Sequence, residues 1–195
     1  CNFHCRYCYA KLQPSDELEL IHDLAKPRTL LESLYEAFGT MVTSRPRLNF
    51  AGGEPLLKEK HVLPAMRLAR EIGFDVSLIS NGSRLDQRLT AALAPEISLL
   101  GLSIDAESPR VLAAIGRQDH RGLQVDLTEL AQRIAQARWI NPDLQVKVNT
   151  VVCAANAQED LSGVIRALAP QRWKVLRMLP AIGRTLQVSR SEEHT

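Results

Sequence analysis

The sequence predicts an α/β fold built on a parallel sheet with helical crossovers. Three observations predict it. Short apolar runs that end in glycine or polar residues recur along the chain, segments with helical spacing of apolar residues fill the intervals, and polar, glycine-rich residues collect at the strand ends. Strands that alternate with helices at this spacing are joined by crossovers and so lie parallel. The carboxyl ends of such strands are where barrels and doubly wound sheets carry their sites.

Five segments read as strands. "RLNFAGG" (Arg47 to Gly53) is an apolar run into two glycines, and "DVSLISNG" (Asp75 to Gly82) and "LLGLSID" (Leu99 to Asp105) repeat that grammar. "QVKVNTVV" (Gln145 to Val152) alternates polar and apolar residues, and "WKVLRML" (Trp173 to Leu179) is the last strand. Between them lie helical stripes: Leu30, Leu34, Phe38 and Met41; then Val62, Met66 and Ala69, closed by Gly73; then Leu127, Leu130, Ile134 and Ala137. Ser108 before Pro109 predicts an N-cap with proline in the first turn. Asn156 and Glu159 have capping-box spacing ahead of Leu161, Val164, Ile165 and Leu168.

Length and composition bound the function. With 195 residues, 45% of them hydrophobic, the chain can bury the core of one domain or of part of a larger one. A net charge of +2 gives no global pull toward nucleic acid or membrane, and no apolar run is long enough to span a bilayer. Three of the four cysteines crowd into the first eight residues, a pattern of metal binding rather than of a secreted disulfide framework. A cytoplasmic protein is expected.

"CNFHCRYCYA" supplies thiolates from Cys1, Cys5 and Cys8 on one short loop. Three soft ligands suit an iron–sulfur cluster or zinc. A 4Fe–4S cluster held by three cysteines keeps one iron open for an exchangeable ligand. Zinc would need a fourth ligand, and His4 adjoins Cys5 too closely to be a good tetrahedral partner. Cys153 stands alone at a strand end and reads as a small buried hydrophobe.

This cysteine spacing, with Tyr7 before the third cysteine, resembles the signature of the radical S-adenosylmethionine (SAM) superfamily. "NFAGGEP" resembles that family's GGE motif, and "SNGS" (Ser80 to Ser83) and "LSIDA" (Leu102 to Ala106) end the next two strands in the same order. The resemblance implies a partial (βα)6 TIM-like barrel of the radical SAM type, with its first strand and C-terminal region missing. It implies a 4Fe–4S cluster on Cys1, Cys5 and Cys8, and SAM contacts from Gly52, Gly53, Glu54, Asn81, Ser103 and Arg117. Glu54 would take the SAM ammonium and Arg117 its carboxylate.

"KVNTVV", "APQRWKVLRMLP" and "IGRQ" (Ile115 to Gln118) resemble viperin and its prokaryotic relatives, from Cys1 to about Leu179. That resemblance implies conversion of a ribonucleoside triphosphate to its 3′-deoxy-3′,4′-didehydro analogue, an antiviral chain terminator. It also implies a 5′-deoxyadenosyl radical that takes the ribose 4′ hydrogen, and an electron donor such as flavodoxin or ferredoxin, with no nucleic acid or membrane partner. Between Lys147 and Arg184 there are six Lys/Arg and two acids. Lys147 and Asn149 share one strand face, and Arg172 and Lys174 do the same on the next. These four are the expected triphosphate contacts, with Arg47 a weaker one; a solvated basic face is the alternative.

Trp173 is expected in the core, and Arg177, where relatives usually carry a neutral glutamine, is open to extending the phosphate clamp. Other radical SAM chemistry, in an activase or peptide maturase, and a non-enzymatic iron–sulfur or zinc module remain alternative functions. The chain starts on Cys1 and ends "RSEEHT", which matches the translation of a common sequencing adapter. Residues 1–189 are therefore expected to be a fragment of the core domain and 190–195 a non-native tail.

Overall fold

The computed structural model describes residues 1–8, 10, 21, 23–39, 41 and 44–179; the expected tail lies outside them. The described elements are α1 (Ala25–Gly39), β1 (Arg47–Phe50), α2 (Glu59–Ile72), β2 (Asp75–Ser80), α3 (Gln87–Leu93), β3 (Leu99–Ser103), α4 (Pro109–Ala114), α5 (Leu127–Ile140), β4 (Gln145–Val152), α6 (Ser162–Leu168) and β5 (Arg172–Arg177). All five strands are parallel and pair in chain order, β1 to β5. Crossovers of one hand between sequential parallel strands put the helices on one face and curl the sheet, which is the construction of a barrel wall.

The two faces differ in chemistry because residue parity sorts them. Val76 and Leu78 on β2, Leu100 and Leu102 on β3, and Val146 and Val148 on β4 are buried in one apolar core with Met66, Leu89, Leu93, Leu130, Ile134 and Leu168. The opposite face carries Asn49, Ser77, Gly101, Ser103, Lys147 and Asn149, and there the Ser77 hydroxyl donates to Asn49 Oδ1 at 2.9 Å. A second small cluster of Ala106, Leu112, Ile115, Cys153 and Met178 sits above the strand ends. Cys153 is thus the buried small hydrophobe its sequence context implied.

Most predicted elements are present, and five features depart from expectation. The face α1 buries holds Pro27 and Leu31, while Leu30, Phe38 and Met41 are exposed. Of the predicted stripe only Leu34 packs against the core, next to Tyr35, whose ring meets Phe74 edge-on at 5.1 Å. Asn156 and Glu159 cap no helix, since α6 starts only at Ser162; they clamp loops instead, as described below. Trp173 is 45% exposed rather than core, its indole donating to Thr150 Oγ1 at 2.9 Å. β5 is open along Arg172 to Val175, so the cations on it are not buried ones. The short helix α3, started by the Asp86 carboxylate on Leu89 N, has no counterpart among the predicted elements.

Candidate active site

The cysteine loop lies across the carboxyl end of the sheet and is fastened there by its backbone. His4 N donates to Gly116 O at 3.1 Å and Arg6 N to Ile115 O at 3.0 Å. Gly116 is needed for both geometry and space: its φ is +76°, and a Cβ there would stand 2.1 Å from His4 O. The Tyr7 hydroxyl donates to Asp105 Oδ2 at 2.6 Å, and Phe3 is buried below the Arg117 guanidinium, 5.3 Å from its ring centre. Burial first, and then the charge of Asp105, pushes the Tyr7 phenol well above its ordinary range, so it stays a donor.

Cys1 is exposed, Cys5 and Cys8 are half-buried, and all three are free thiols. Among the described residues no three His, Cys, Asp or Glu side chains converge as the ligands of one metal ion do. A four-iron cube asks for something else: each cysteine takes its own iron, so its sulfurs stand apart. The donor set fits that group, three soft thiols on a loop whose end faces the polar strand ends. Burial pushes the Cys5 thiol up, and Arg117 pulls it back.

Below the loop sits Glu54. Gly52 and Gly53 carry φ of +98° and +55°, so the backbone after β1 turns sharply and drops the next side chain into the molecule. Glu54 is 4% exposed. Its Oε1 accepts from Leu56 N at 3.2 Å and Ser80 Oγ at 2.9 Å, and its Oε2 from Asn81 N at 2.6 Å. No cation pairs with it among the described ion pairs. Burial holds its pKa above the usual carboxylate range, against those three hydrogen bonds. A buried carboxylate fixed in this way, with Arg117 acting on it only through its field and no ion pair formed to it among the described residues, is a ready partner for a ligand ammonium. Asn81 completes this corner, its side chain donating to Asn2 Oδ1 at 2.9 Å and to Cys1 Sγ at 3.9 Å.

Arg117 is 7% exposed and forms a buried ion pair, Nε to Asp105 Oδ2 at 3.2 Å. Its Nη2 donates to the Ser103 carbonyl and its Nη1 to Cys5 Sγ at 3.8 Å. Asp105 Oδ1 in turn accepts from Val151 N at 2.6 Å. One guanidinium therefore ties the cysteine loop to the ends of β3 and β4.

The predicted anion contacts come together on the open sheet face. Lys147 pairs with Arg172 and Asn149 with Lys174 across β4 and β5, and Ser103 is level with Asn149 on the other side. Partial burial, and then Lys174 and Arg172, hold the Lys147 ammonium below the usual lysine range. No ion pair to an acid is formed by these three among the described residues. Arg47 is not brought to them. It starts β1 level with Asp75, its ion-pair partner at 3.6 Å, whereas Lys147 is on the level of Ile79, four residues or about 13 Å further along β2. Arg177 is odd-numbered like Trp173 on β5, so parity turns it to the face opposite Arg172 and Lys174.

The family model of the radical SAM superfamily matches residues 1–152, from the first cysteine to the end of β4. The chain belongs to the radical SAM superfamily. It is 34% identical, over 96% of its length, to an S-adenosylmethionine-dependent nucleotide dehydratase of Pseudoalteromonas ulvae, and 33% identical over 94% to one of Fibrobacter sp. (strain UWH6). It spans 64% and 54% of the length of those relatives. The structure of native anSMEcpe with bound AdoMet and Kp18Cys peptide superimposes with a TM-score of 0.68 at 20% identity, covering 98% of this chain and 53% of that one. That likeness shows the fold, a partial barrel of the superfamily. Membership implies SAM and a 4Fe–4S cluster as its cofactors.

Two residues of this candidate site, Asp105 and Asn2, were not expected from the sequence, and Asn156 and Glu159 were expected only as a helix cap. Asp105 stands inside the quoted "LSIDA", and a carboxylate directly after a strand was the available signal. Asn2, which donates to Ser83 Oγ at 3.0 Å and accepts from Asn81, gave none. Asn156 accepts from Cys153 N at 2.7 Å and donates to Asp105 O at 2.7 Å and Val151 O at 2.8 Å. Glu159 accepts from Glu107 N at 2.9 Å and Ser108 N at 3.0 Å. Both sew the loops after β3 and β4 together.

Proposed function

We propose that the chain is the radical-generating core of a nucleotide dehydratase that converts a ribonucleoside triphosphate to its 3′-deoxy-3′,4′-didehydro analogue. The observation that carries the proposal is the cation group Lys147, Arg172 and Lys174, which gathers without acidic partners among the described residues on the face that also holds Ser103. Like charges brought together at a partly buried lysine are stabilised by a polyanion. The similarity to S-adenosylmethionine-dependent nucleotide dehydratases supports a nucleotide as that polyanion.

In this account Cys1, Cys5 and Cys8 hold the cluster. Glu54 takes the SAM ammonium, the backbone of Gly52 and Gly53 lies against the cofactor, and Ser103, Asn81 and Arg117 border it. When bound, the cluster and SAM supply the one-electron chemistry, and the electron comes from a donor such as flavodoxin or ferredoxin. The chain's own residues bind and orient. Lys147, Arg172 and Lys174 grip the phosphates and Asn149 donates beside them, so that the ribose is carried toward the strand ends of β1 to β3. Strand spacing of about 4.8 Å makes Ser103, Asn149 and Lys174 a continuous row from the cofactor side to the phosphate side. No helix of the described residues is long and apolar enough to cross a membrane, and three free thiols beside a cluster role suit a reducing cytoplasm.

Nucleotide titration of the reconstituted protein tests this. Arg172→Ala and Lys174→Ala should each weaken triphosphate binding on the order of tenfold to a hundredfold, as loss of a hydrogen bond to a charged group does. SAM binding should hold, and raised salt should weaken the triphosphate first. Unchanged triphosphate affinity in both variants, with the fold intact, would reduce the basic face to a solvated one and leave the chain as a radical SAM enzyme of other substrate.

A further inference from the structure

Two side chains reach the cysteine sulfurs, one from a strand end and one from a helix end. The Asn81 amide, after β2, donates to Cys1 Sγ at 3.9 Å, and the Arg117 guanidinium, after α4, donates to Cys5 Sγ at 3.8 Å. Both lie at the long end of donation to the large sulfur atom. Both donors are fixed independently of the sulfurs. Asn81 is 6% exposed, its backbone N–H bound by Glu54 and its amide by Asn2. Arg117 is held by Asp105 and by the Ser103 carbonyl. Donors that are held in place by their own partners are the means by which a protein tunes a metal group it does not directly ligate.

We propose that Asn81 and Arg117 set the reduction potential of the cluster by donating hydrogen bonds to two of its three cysteine ligands. The proposal rests on the assignment of Cys1, Cys5 and Cys8 as those ligands. Reduction adds one electron to an assembly of iron, sulfide and thiolates that is already negative. An N–H aimed at a thiolate stabilises the reduced form more than the oxidised one, so each donor raises the potential. Arg117 acts more strongly, because its donor carries a positive charge and lies in a buried place where charge is poorly screened. Asn81, a neutral donor, acts in the same direction and more weakly. Both are positioning residues that work through the cysteines, and each also touches a residue of the proposed SAM pocket, Glu54 or Ser103.

The test is a redox titration of the anaerobically reconstituted, SAM-free protein, followed by electron paramagnetic resonance of the reduced cluster. Arg117→Met should lower the ratio of reduced to oxidised cluster at a given applied potential by about tenfold, equivalent to ~59 mV for a one-electron couple. Asn81→Ser should shift it the same way by less. Arg121→Met, which removes an exposed guanidinium of equal charge, should leave it in place. If Arg117→Met loses the cluster, Arg117→Lys and Asn81→Ser carry the comparison, with the lysine variant between wild type and the expected methionine value. Variants that hold wild-type iron and sulfide yet titrate at the wild-type potential overturn the proposal. A wild-type protein that binds no four-iron cluster overturns the ligand assignment itself, which iron and sulfide analysis reveals before any titration.

Discussion

Glu54 and Gly116 show at the scale of the residue how the site is made. Glu54 is buried with three donors, and burial holds its pKa above the usual carboxylate range against those bonds and the charge of Arg117. Its ionised form is the one that pairs with an ammonium. SAM affinity should therefore fall as pH is lowered through that raised pKa, beginning at a higher pH than an ordinary glutamate would give. Calorimetric titration across pH 4 to 8, as a nominal range of about four units around the carboxylate region, would show the slope. Glu54→Gln should bind weakly and without it. Gly116 was quoted in the sequence only as part of "IGRQ"; its task, a left-handed turn pressed against His4, depends on a contact more than a hundred positions away in the chain. Gly116→Ala should keep the far-ultraviolet dichroism of the fold and lose most of the reconstituted iron, because the cysteine loop can no longer lie where it does. Iron retained at the wild-type level would show that the loop has room to shift. The cysteines and Glu54 could be proposed from the sequence because short motifs carry them; Asp105 and Asn2 could not, because only folding brings them to Tyr7 and Asn81.

At the scale of the element, periodicity carried most of the way. β4 occupies the residues its alternation predicts, and α2 and α5 bury the predicted stripes. In α1 apolar residues stand on both sides, Leu30 and Phe38 outward and Leu31, Leu34 and Tyr35 toward the core, so spacing alone did not fix which side is buried. Asn156 and Glu159 failed for another reason. Their spacing is that of a capping box, yet the same side chains can satisfy backbone groups of any nearby loop. Asn156 makes three short hydrogen bonds that join the ends of β3 and β4. Asn156→Ala leaves buried backbone groups without partners and should cost about 2–3 kcal/mol in denaturant unfolding, while Gln158→Ala, at an exposed neighbour, should change stability little. A loss in Asn156→Ala no larger than in Gln158→Ala would mean that water replaces all three bonds.

The whole molecule divides its labour across the sheet. One face is apolar and carries the helices; the other holds the residues proposed to bind the cofactors, on the ends of β1 to β3, and the cations on β4 and β5. Parity made the cation faces legible from the sequence, since residues two apart on a strand share a side. It could not show that β5 is open, because exposure of an outer strand depends on what packs beside it. Nor could it exclude Arg47, whose distance from Lys147 follows from strand register, which a single strand does not encode. Together these features support the proposed function, in which β4 and β5 would hold a triphosphate and present it to radical chemistry at the cysteine end of the same sheet. The most direct measurement is an anaerobic assay of the reduced, reconstituted protein with SAM and each of the four ribonucleoside triphosphates in turn, products identified by mass spectrometry. The account predicts 5′-deoxyadenosine formed in step with a nucleotide product lighter than its substrate by one water, for at least one triphosphate and not for its monophosphate. Release of 5′-deoxyadenosine at the same slow rate with and without every nucleotide, and no dehydrated product, would contradict it.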